Sequence, residues 1–200
     1  MPNKKEALLE AAKELFGEYG YAETTFKKIS ERAGVALGLL THHYGSKEKL
    51  FLASGLDVLE RFEKFLVDAV ADAADGYQGV MKFCAAYLEF SLNQDSNWRA
   101  LVRCSPYSDM KTKTDRELME SRFSSIYRIL SRQIERGVQD GSVRPWDPDA
   151  LSEVIVALMV GANRSRLLTP YASPGFYENT LKFVAAALSP SQGSGQETNA

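Results

Sequence analysis

Apolar residues in this chain recur every three to four positions, the spacing that places side chains on one face of an α-helix. One such stripe is formed by Phe26, Ile29 and Ala33 and predicts a short helix with an inward face. Gly34 follows where the helix must stop and turn, because glycine adopts a positive φ without a steric clash. A second short helix is predicted from Leu37 to His43.

The second short helix has one anchoring side. Leu40 and Tyr44 lie four residues apart and therefore face the same way. Gly45 ends the helix, and Ser46 can cap the next one. Lys47 then stands at a helix N-terminus, where backbone N–H groups and a cation can share a phosphate. Two short helices around a glycine turn, followed by a capped helix, are typical of a helix-turn-helix DNA-binding unit.

The rest of the chain predicts a helical bundle. Apolar stripes and turn residues divide it into helices at about 46–74, 77–93, 98–104, 114–139, 148–168 and 174–188. Asp147-Pro148 and Ser173-Pro174 each place a capping residue before a proline, which indicates a helix start. Nothing resembles the alternation of a β-strand. We expect an all-α fold with a three-helix N-terminal domain at 1–46, a larger helical domain at 47–188 and a disordered tail at 189–200.

The N-terminal residues also resemble a known family. Residues 33–50 read AGVALGLLTHHYGSKEKL, and the TetR family of bacterial transcriptional regulators has the pattern A-G-V-S-x-G-T-L-Y-x-Y-F-x-S-K-E-x-L. Upstream, FGEYGY at 16–21 resembles the F-x-x-x-G-[YF] ending of that family's first helix. Two positions depart from the pattern: Leu39 replaces the usual Thr or Ser, and Thr41 replaces the usual Tyr. The resemblance implies a helix-turn-helix DNA-binding domain followed by a ligand-binding and dimerisation bundle.

Candidate DNA contacts follow from the positions that lie off the anchoring side. We expect Leu37, Gly38, Thr41 and His42 to read bases, with Leu37 and Leu39 limited to apolar contact such as a thymine methyl. His42 or His43 can donate to a phosphate or a base edge, although a histidine there can also simply pack or face water. The full expected set is Thr24, Thr25, Leu37, Gly38, Leu39, Thr41, His42, His43, Tyr44 and Lys47.

Charge supports a localised DNA contact. The whole chain has a formal net charge of −2, which argues against a generally basic coat for nucleic acid. Between residues 24 and 51, however, the segment contains five Lys or Arg residues and only two Glu residues. Five cations can make only a few phosphate contacts per subunit, which favours a dimer. We expect this dimer to bind a near-palindromic operator with half-sites about 34 to 36 Å apart.

The larger helical domain offers two further sets of candidates. The resemblance implies a small, apolar or amphipathic effector, and aromatic residues at helical spacing are candidates to line its pocket, although such stripes are more often core. These residues are Phe62, Phe65, Phe83, Tyr87, Phe90, Trp98, Phe123 and Tyr127. The last two helices have broad apolar faces that either form a homodimer seam or close the protomer's own core. The expected seam consists of Leu151, Ile155, Leu158, Met159, Ala162, Tyr177, Leu181, Val184 and Leu188.

Other classes of function have little support. Cys84 and Cys104 lack a metal-ligand spacing and are interpreted as buried thiols, and we expect no metal or cofactor. An enzyme is disfavoured because both histidines lie in the helix-turn-helix segment. The longest apolar run, 154–162, is too short to span a membrane. We therefore expect a cytoplasmic, homodimeric repressor released by a small ligand; the alternative is a regulator of the same fold controlled by a partner protein or by nothing.

Overall fold

The computed structural model describes residues 3–104 and 111–189. Within these ranges all regular elements are helical, which confirms the all-α prediction. The α-helices are α1 (Lys4–Glu23), α2 (Phe26–Ala33), α3 (Leu37–Tyr44), α4 (Lys47–Val70), α5 (Gly76–Leu92), α6 (Arg99–Arg103), α7 (Lys113–Asp140), α8 (Pro148–Leu168) and α9 (Phe176–Leu188). A 3-10 turn, Gln94–Ser96, lies between α5 and α6.

The caps around the helix-turn-helix segment form as the sequence predicts. The Thr25 hydroxyl accepts the backbone N–H of Lys28 at 3.2 Å and begins α2. Gly34 ends α2 with φ 63°, in the left-handed region that favours glycine. Ser46 begins α4 by accepting the N–H of Lys49 at 3.1 Å. Local capping therefore fixes both ends of α2 and the start of α4 before any tertiary contact is considered.

One of the two expected starts of the later helices differs from the structure. Asp147 caps α8 as predicted, with Pro148 in its first turn. By contrast, α9 begins at Phe176 rather than at 174, without a side-chain cap. The carbonyl of Ser173 accepts the N–H of Phe176 at 3.0 Å, so residues 173–176 form a turn that precedes the helix. The expected disordered tail lies outside the described residues, apart from Ser189.

The core runs without interruption from the N-terminal helices into the bundle. In the N-terminal part, Phe16, Ile29, Leu40 and Phe51 are fully buried. They join α1, α2, α3 and α4, so α4 belongs to both parts of the molecule. In the bundle, α5 crosses α7 so closely that a Cβ on Gly76 would overlap the backbone nitrogen of Gly137.

The apolar faces of α8 and α9 point mostly into the protomer. Six residues of the expected dimer seam are buried within the single chain, namely Leu151, Ile155, Met159, Ala162, Val184 and Leu188. The expectation that these six form a seam is therefore wrong, because they pack against the same protomer's core. The other three, Leu158, Tyr177 and Leu181, are half-buried beside that core.

Candidate functional site

Helix α3 presents a continuous exposed side. Leu40 is fully buried and fixes the helix to the domain. Gly38, Thr41, His42 and His43 are exposed, and so is Leu37, an apolar residue with 48% of its surface accessible. The expected DNA-reading positions are therefore available on one helix that is small enough to enter a major groove. Leu39 is half-buried at the edge of this surface.

Several predicted contact residues are instead engaged within the domain. Thr24 is fully buried, and its hydroxyl donates to the carbonyls of Leu15 and Gly20, at 3.1 and 2.7 Å. Its side chain cannot reach DNA, so that expectation is wrong. The sequence did not distinguish it from Thr25, which is exposed and caps α2.

Tyr44 and Lys47 hold the end of the motif against α1. The Tyr44 hydroxyl donates to the carbonyl of Lys5 at 3.0 Å. The Lys47 ammonium donates to the carbonyl of Tyr21 at 2.9 Å and lies 4.3 Å from the centre of that tyrosine ring. Both side chains therefore position α3 and α4 relative to the first helix.

The basic residues of the segment are largely paired within the chain. Arg32 forms ion pairs with Glu14 at 2.9 Å and Glu18 at 3.2 Å. Its guanidinium lies at the surface, and hydrogen bonds with the two carboxylates raise its pKa. Sequence reasoning overlooked the exposed Lys4 and Lys5, which precede the motif but lie next to the end of α3 through the contact with Tyr44.

A partly open cavity of about 240 Å³, called here the interior cavity, lies between α5, α6, α7 and α8 of the bundle. It is lined by Tyr87, Trp98, Leu101, Val102, Cys104, Phe123, Ile126, Tyr127, Val156, Val160, Asn163 and Arg164. Four of the predicted pocket residues are in this wall, namely Tyr87, Trp98, Phe123 and Tyr127. Most of the wall is apolar, as in many small-molecule sites.

The other four predicted pocket residues do not line this cavity. Phe62 and Phe83 are fully buried in the core, and the Phe62 ring packs 4.4 Å from that of Trp98. Phe65 is partly exposed and contacts Phe90, with ring centroids 5.5 Å apart. These aromatic side chains pack against each other behind the cavity wall, and their expected role in ligand binding stays a prediction.

Two polar groups in the cavity wall were not foreseen. Asn163 is 1% exposed, and its Oδ1 accepts the Tyr177 hydroxyl at 2.8 Å. Its Nδ2, like the Nε1 of Trp98, has no hydrogen-bond partner among the described residues. Arg164 lies beside them and donates to the carbonyl of Val102 at 2.8 Å. Sequence reasoning missed Asn163 and Arg164 because it considered only the aromatic residues of this region.

A wider cleft of about 570 Å³ lies between α1 and the α5–α6 junction. Its wall includes the ion-paired Glu14, Glu18 and Arg32, and the buried Lys13, whose ammonium lies 2.6 Å from Glu10 and from Asp57. These charged groups already have partners within the chain. The smaller interior cavity is therefore the better candidate for an apolar or amphipathic molecule.

Residues 8–54 match the family model described as bacterial regulatory proteins, tetR family. This segment is that of the TetR family. The matched segment contains α1, α2, α3 and the first turns of α4, and therefore the complete helix-turn-helix unit.

Two similar proteins match this chain over different lengths. An uncharacterized HTH-type transcriptional regulator, YhgD of Bacillus subtilis, is 23% identical over 158 residues, 79% of this chain and 81% of that protein. The transcriptional repressor AcnR of Corynebacterium efficiens is 43% identical over 51 residues, 26% of this chain and 27% of that protein.

A solved structure extends the comparison to the bundle. The structure of AibR in complex with isovaleryl coenzyme A and operator DNA has 18% identity and a TM-score of 0.77, covering 93% of this chain and 98% of AibR. At this identity the likeness shows the fold alone. The fold of this chain is thus the TetR arrangement of an N-terminal helix-turn-helix domain and a helical bundle.

Two connections join the cavity wall to the helix-turn-helix domain, and the first is between α6 and α1. Helix α6 packs on α1, where a Cβ on Gly17 would lie 3.2 Å from the Cβ of Arg99. Cys104, at the end of α6, donates its thiol to the carbonyl of Phe16 at 3.6 Å. The helix that contributes Leu101 and Val102 to the cavity is therefore also a support for α1.

The second connection joins α7 to the first turn of α4. Glu48 accepts the backbone N–H groups of Lys111 and Thr112. Lys49 forms an ion pair with Asp115, with N–O distances of 2.8 and 2.9 Å. Hydrogen bonds from Lys49 and then Thr112 lower the pKa of the Asp115 carboxyl. Helix α7, which lines the cavity, is thus attached to the helix that follows the DNA-binding motif.

The described residues contain neither a membrane-spanning helix nor a group of metal ligands. No helix there has an apolar stretch long enough to cross a membrane. In the same residues, no three His, Cys, Asp or Glu side chains are grouped so that they could hold a metal ion.

Proposed function

We propose that this TetR-family regulator is a homodimeric repressor that binds a near-palindromic operator and is released by a small ligand. One observation carries the proposal. The cavity is lined by α6 and α7, and these same helices contact α1 and α4 of the helix-turn-helix domain. A molecule in the cavity therefore touches the elements that position α3.

The DNA contacts in this proposal come from the exposed side of α3. Gly38, Thr41 and His42 face the base edges, Leu37 contacts a thymine methyl, and His43 lies at the rim. No Arg, Asn or Gln is present in α3 to make a bidentate base contact. Sequence discrimination then depends on apolar contact, on hydrogen bonds from Thr and His, and on DNA shape.

Phosphate contacts surround this helix. Lys47 already donates to the Tyr21 carbonyl, but an ammonium has three donor hydrogens, so it can also contact a phosphate. Lys4 and Lys5 are exposed beside the end of α3 and supply further cations. Thr25 is exposed at the start of α2 and offers its backbone N–H, while Tyr44 positions α1 against α3.

A second copy of the chain is the proposed occupant of the outer side of α8 and α9. Val154 is 64% exposed and Phe183 is 66% exposed, an unusual accessibility for such large apolar residues. Ala157, Gly161 and Ala186 are exposed on the same two helices and would let two backbones approach closely. Packing these helices against their symmetry mates gives a four-helix seam. This seam replaces the one expected from sequence.

Release from the operator is a shift between two conformations. The ligand favours a position of α6 and α7 that moves α1 and the first turn of α4, and thereby changes the separation of the two α3 helices in the dimer. Such a coupling of about 1 to 3 kcal/mol lowers operator affinity about 5- to 150-fold. The partner-controlled alternative predicts operator binding that no small molecule alters.

The test is selection of genomic DNA fragments by the purified protein at about 150 mM salt, with sequencing of the retained fragments. The selection is repeated with excess non-specific competitor DNA. A palindromic motif that survives competition supports a dimeric, sequence-specific regulator. Binding that disappears with competitor, or a motif with a single half-site, contradicts the proposal.

The ionic-strength dependence of binding to the selected operator then counts the phosphate contacts. The logarithm of the binding constant falls with the logarithm of salt concentration at a slope of about −0.9 per neutralised phosphate. Lys47→Ala should weaken binding to all sequences alike and reduce the slope by about 1 per subunit. If Lys47→Ala lowers the affinity for the operator but not for other sequences, Lys47 contributes to sequence recognition instead.

A further inference from the structure

We propose that the interior cavity binds a short acyl compound. A carbonyl or carboxylate oxygen accepts hydrogen bonds from Trp98 and Asn163, and the alkyl or small ring portion fills the apolar remainder. This inference rests on the proposed function only in calling the bound compound the effector.

Two hydrogen-bond donors in the cavity wall have no acceptor within the part of the chain that the structure describes. The indole Nε1 of Trp98 can only donate. The Asn163 Oδ1 is engaged by the Tyr177 hydroxyl, which leaves the Nδ2 as a second donor. Both side chains are more than nine-tenths buried and form part of the same wall. Buried donors without an acceptor are unfavourable, so a ligand whose acceptor atom reaches these two nitrogens would be favoured.

The charged side chains of the cavity wall also limit the class of ligand. Among the described residues that line the cavity there is no Asp, Glu or His, while Arg164 contributes a guanidinium that is always charged and only donates. A cationic ligand would therefore have no counter-charge among the described residues of the wall. An oxygen acceptor, neutral or anionic, is compatible with all three groups.

The volume and the apolar lining of the cavity limit the size of the ligand. A cavity of about 240 Å³ has room for about eight groups the size of a water molecule. Leu101, Ile126, Val156 and Val160 supply much of the remaining wall and match an alkyl portion. The cavity therefore fits the acyl part of a molecule, whether this occurs as a free acid or as a neutral ester.

The experiment compares three probes with equal numbers of non-hydrogen atoms. Hexanoate offers an anionic acceptor, methyl pentanoate a neutral acceptor and heptylamine a cationic donor. Binding is measured by calorimetric titration and by Trp98 fluorescence in a Trp146→Phe variant, which retains Trp98 as its sole tryptophan. We expect both acyl probes to bind at least about tenfold more tightly than heptylamine. Equal binding of all three, or no binding of the acyl probes, would overturn the proposal.

Variants identify the donors. Trp98→Phe removes Nε1 but keeps an aromatic ring against Phe62, and Asn163→Leu removes Nδ2 at nearly constant volume. Each should weaken acyl binding about tenfold. Trp146→Phe is the matched control, because Trp146 lies outside the cavity and its Nε1 donates to the Ala187 carbonyl at 3.3 Å. An unchanged affinity in both Trp98→Phe and Asn163→Leu, with cooperative unfolding preserved, would refute the assignment.

Arg164→Met separates the two sources of the acyl group. Selective weakening of hexanoate indicates a free carboxylate ligand, whereas equal retention of both acyl probes indicates a neutral carbonyl. Both results support the acyl class. If Arg164→Met binds heptylamine as tightly as the acyl probes, and its affinity for the acyl probes is unchanged, then charge alone determines the selectivity and the two donors do not. That result would overturn the proposal.

Operator binding is measured on the same variants. If the protein binds an operator but no acyl probe, the acyl assignment fails and the DNA-binding proposal stands. If acyl probes bind and leave operator affinity unchanged, the assignment of the cavity stands and the release mechanism fails. The two proposals are thus tested separately.

Discussion

At the scale of single residues, Gly76 shows how little room there is where α5 and α7 cross. A methyl group at this position would overlap the backbone of Gly137, which cannot move without shifting α7. We expect Gly76→Ala to lower the free energy of unfolding by about 3 kcal/mol, the upper part of the range for overpacking. Denaturant unfolding monitored by circular dichroism measures this change.

Gly38 gives the matched control and a separate prediction. It lies in α3, and a Cβ there would meet nothing within 4 Å. Gly38→Ala should therefore keep stability or raise it by up to about 1 kcal/mol, because alanine favours the helix. The same change should weaken operator binding if the α3 backbone approaches DNA closely. A stability loss as large as that of Gly76→Ala would contradict the crossing geometry.

Asp115 makes a pH-dependent contribution. Its pKa is lowered in the folded chain by hydrogen bonds from Lys49 and Thr112, so ionisation of this carboxyl favours folding. The stabilisation is present at neutral pH and is lost as the pH falls below the usual carboxyl range, about 4. Since Lys49 is 54% exposed, we expect about 1 kcal/mol.

The measurement is the difference in unfolding free energy between the wild type and Asp115→Asn at several pH values. The difference should shrink as the solution is acidified. Glu117→Gln serves as the control, because Glu117 pairs with Lys113 at the surface and should have little effect at any pH. A difference that stays constant down to low pH would exclude a contribution from the Asp115 charge.

Residue roles were only partly predictable from sequence. Thr24 and Thr25 are adjacent and chemically identical, yet one is a buried donor to α1 and the other a cap. Asn163 carries no sequence signal at all, since a polar residue on an apolar helix face becomes informative only when the neighbouring groups are known. Burial and hydrogen-bond partners depend on tertiary packing, which spacing along the chain does not specify.

At the scale of elements, prediction was more successful, because capping and periodicity are local. The helix that starts after Asp147 was placed correctly, since an Asx cap and proline in the first turn act within four residues. The similar Ser173-Pro174 pair failed because the chain forms a turn there instead. A serine before proline is compatible with both structures, and the choice depends on how α9 docks.

The packing of α1 on α6 yields a prediction for two elements together. A Cβ on Gly17 would lie 3.2 Å from the Arg99 Cβ and 3.3 Å from the Ala100 nitrogen, so the helices must separate by a few tenths of an ångström. We expect Gly17→Ala to change operator affinity several-fold without ligand, within the usual range for residues that modulate coupling. Fluorescence anisotropy with labelled operator measures it.

The control for this change is Gly175→Ala. Its Cβ would meet only the Asn179 side chain at 3.9 Å, an ordinary contact. This variant should bind operator as the wild type does. If both variants bind equally, the α1–α6 contact does not determine the position of the DNA-binding domain.

At the scale of the whole molecule, the outward side of α8 and α9 determines assembly. Phe183→Asp places a charge in the centre of the proposed seam and should convert the dimer to a monomer. Sedimentation at several concentrations measures the state, and operator affinity should fall with it. Val67→Asp is the control, because Val67 is 47% exposed on α4, away from this surface. A Phe183→Asp protein that remains dimeric would place the seam elsewhere.

The sequence indicated which helices carry broad apolar faces but not which side of them faces outward. Both α8 and α9 have apolar residues on more than one side, and periodicity alone cannot assign one side to the protomer's core. Burial of residues such as Met159 and Leu188 leaves Val154 and Phe183 for the surface. Only the arrangement of α5 and α7 around the two helices makes that distinction.

The dual role of α6 has a consequence for the protein population in a cell. If a ligand in the cavity lowers the affinity of the protein for its operator, then bound operator must lower the affinity for the ligand by the same factor. Copies that are not on DNA therefore bind the compound first and deplete it. Expression of the target genes would then depend on how many copies of the regulator the cell contains, so that excess protein buffers the signal and raises the threshold at which the operator is vacated.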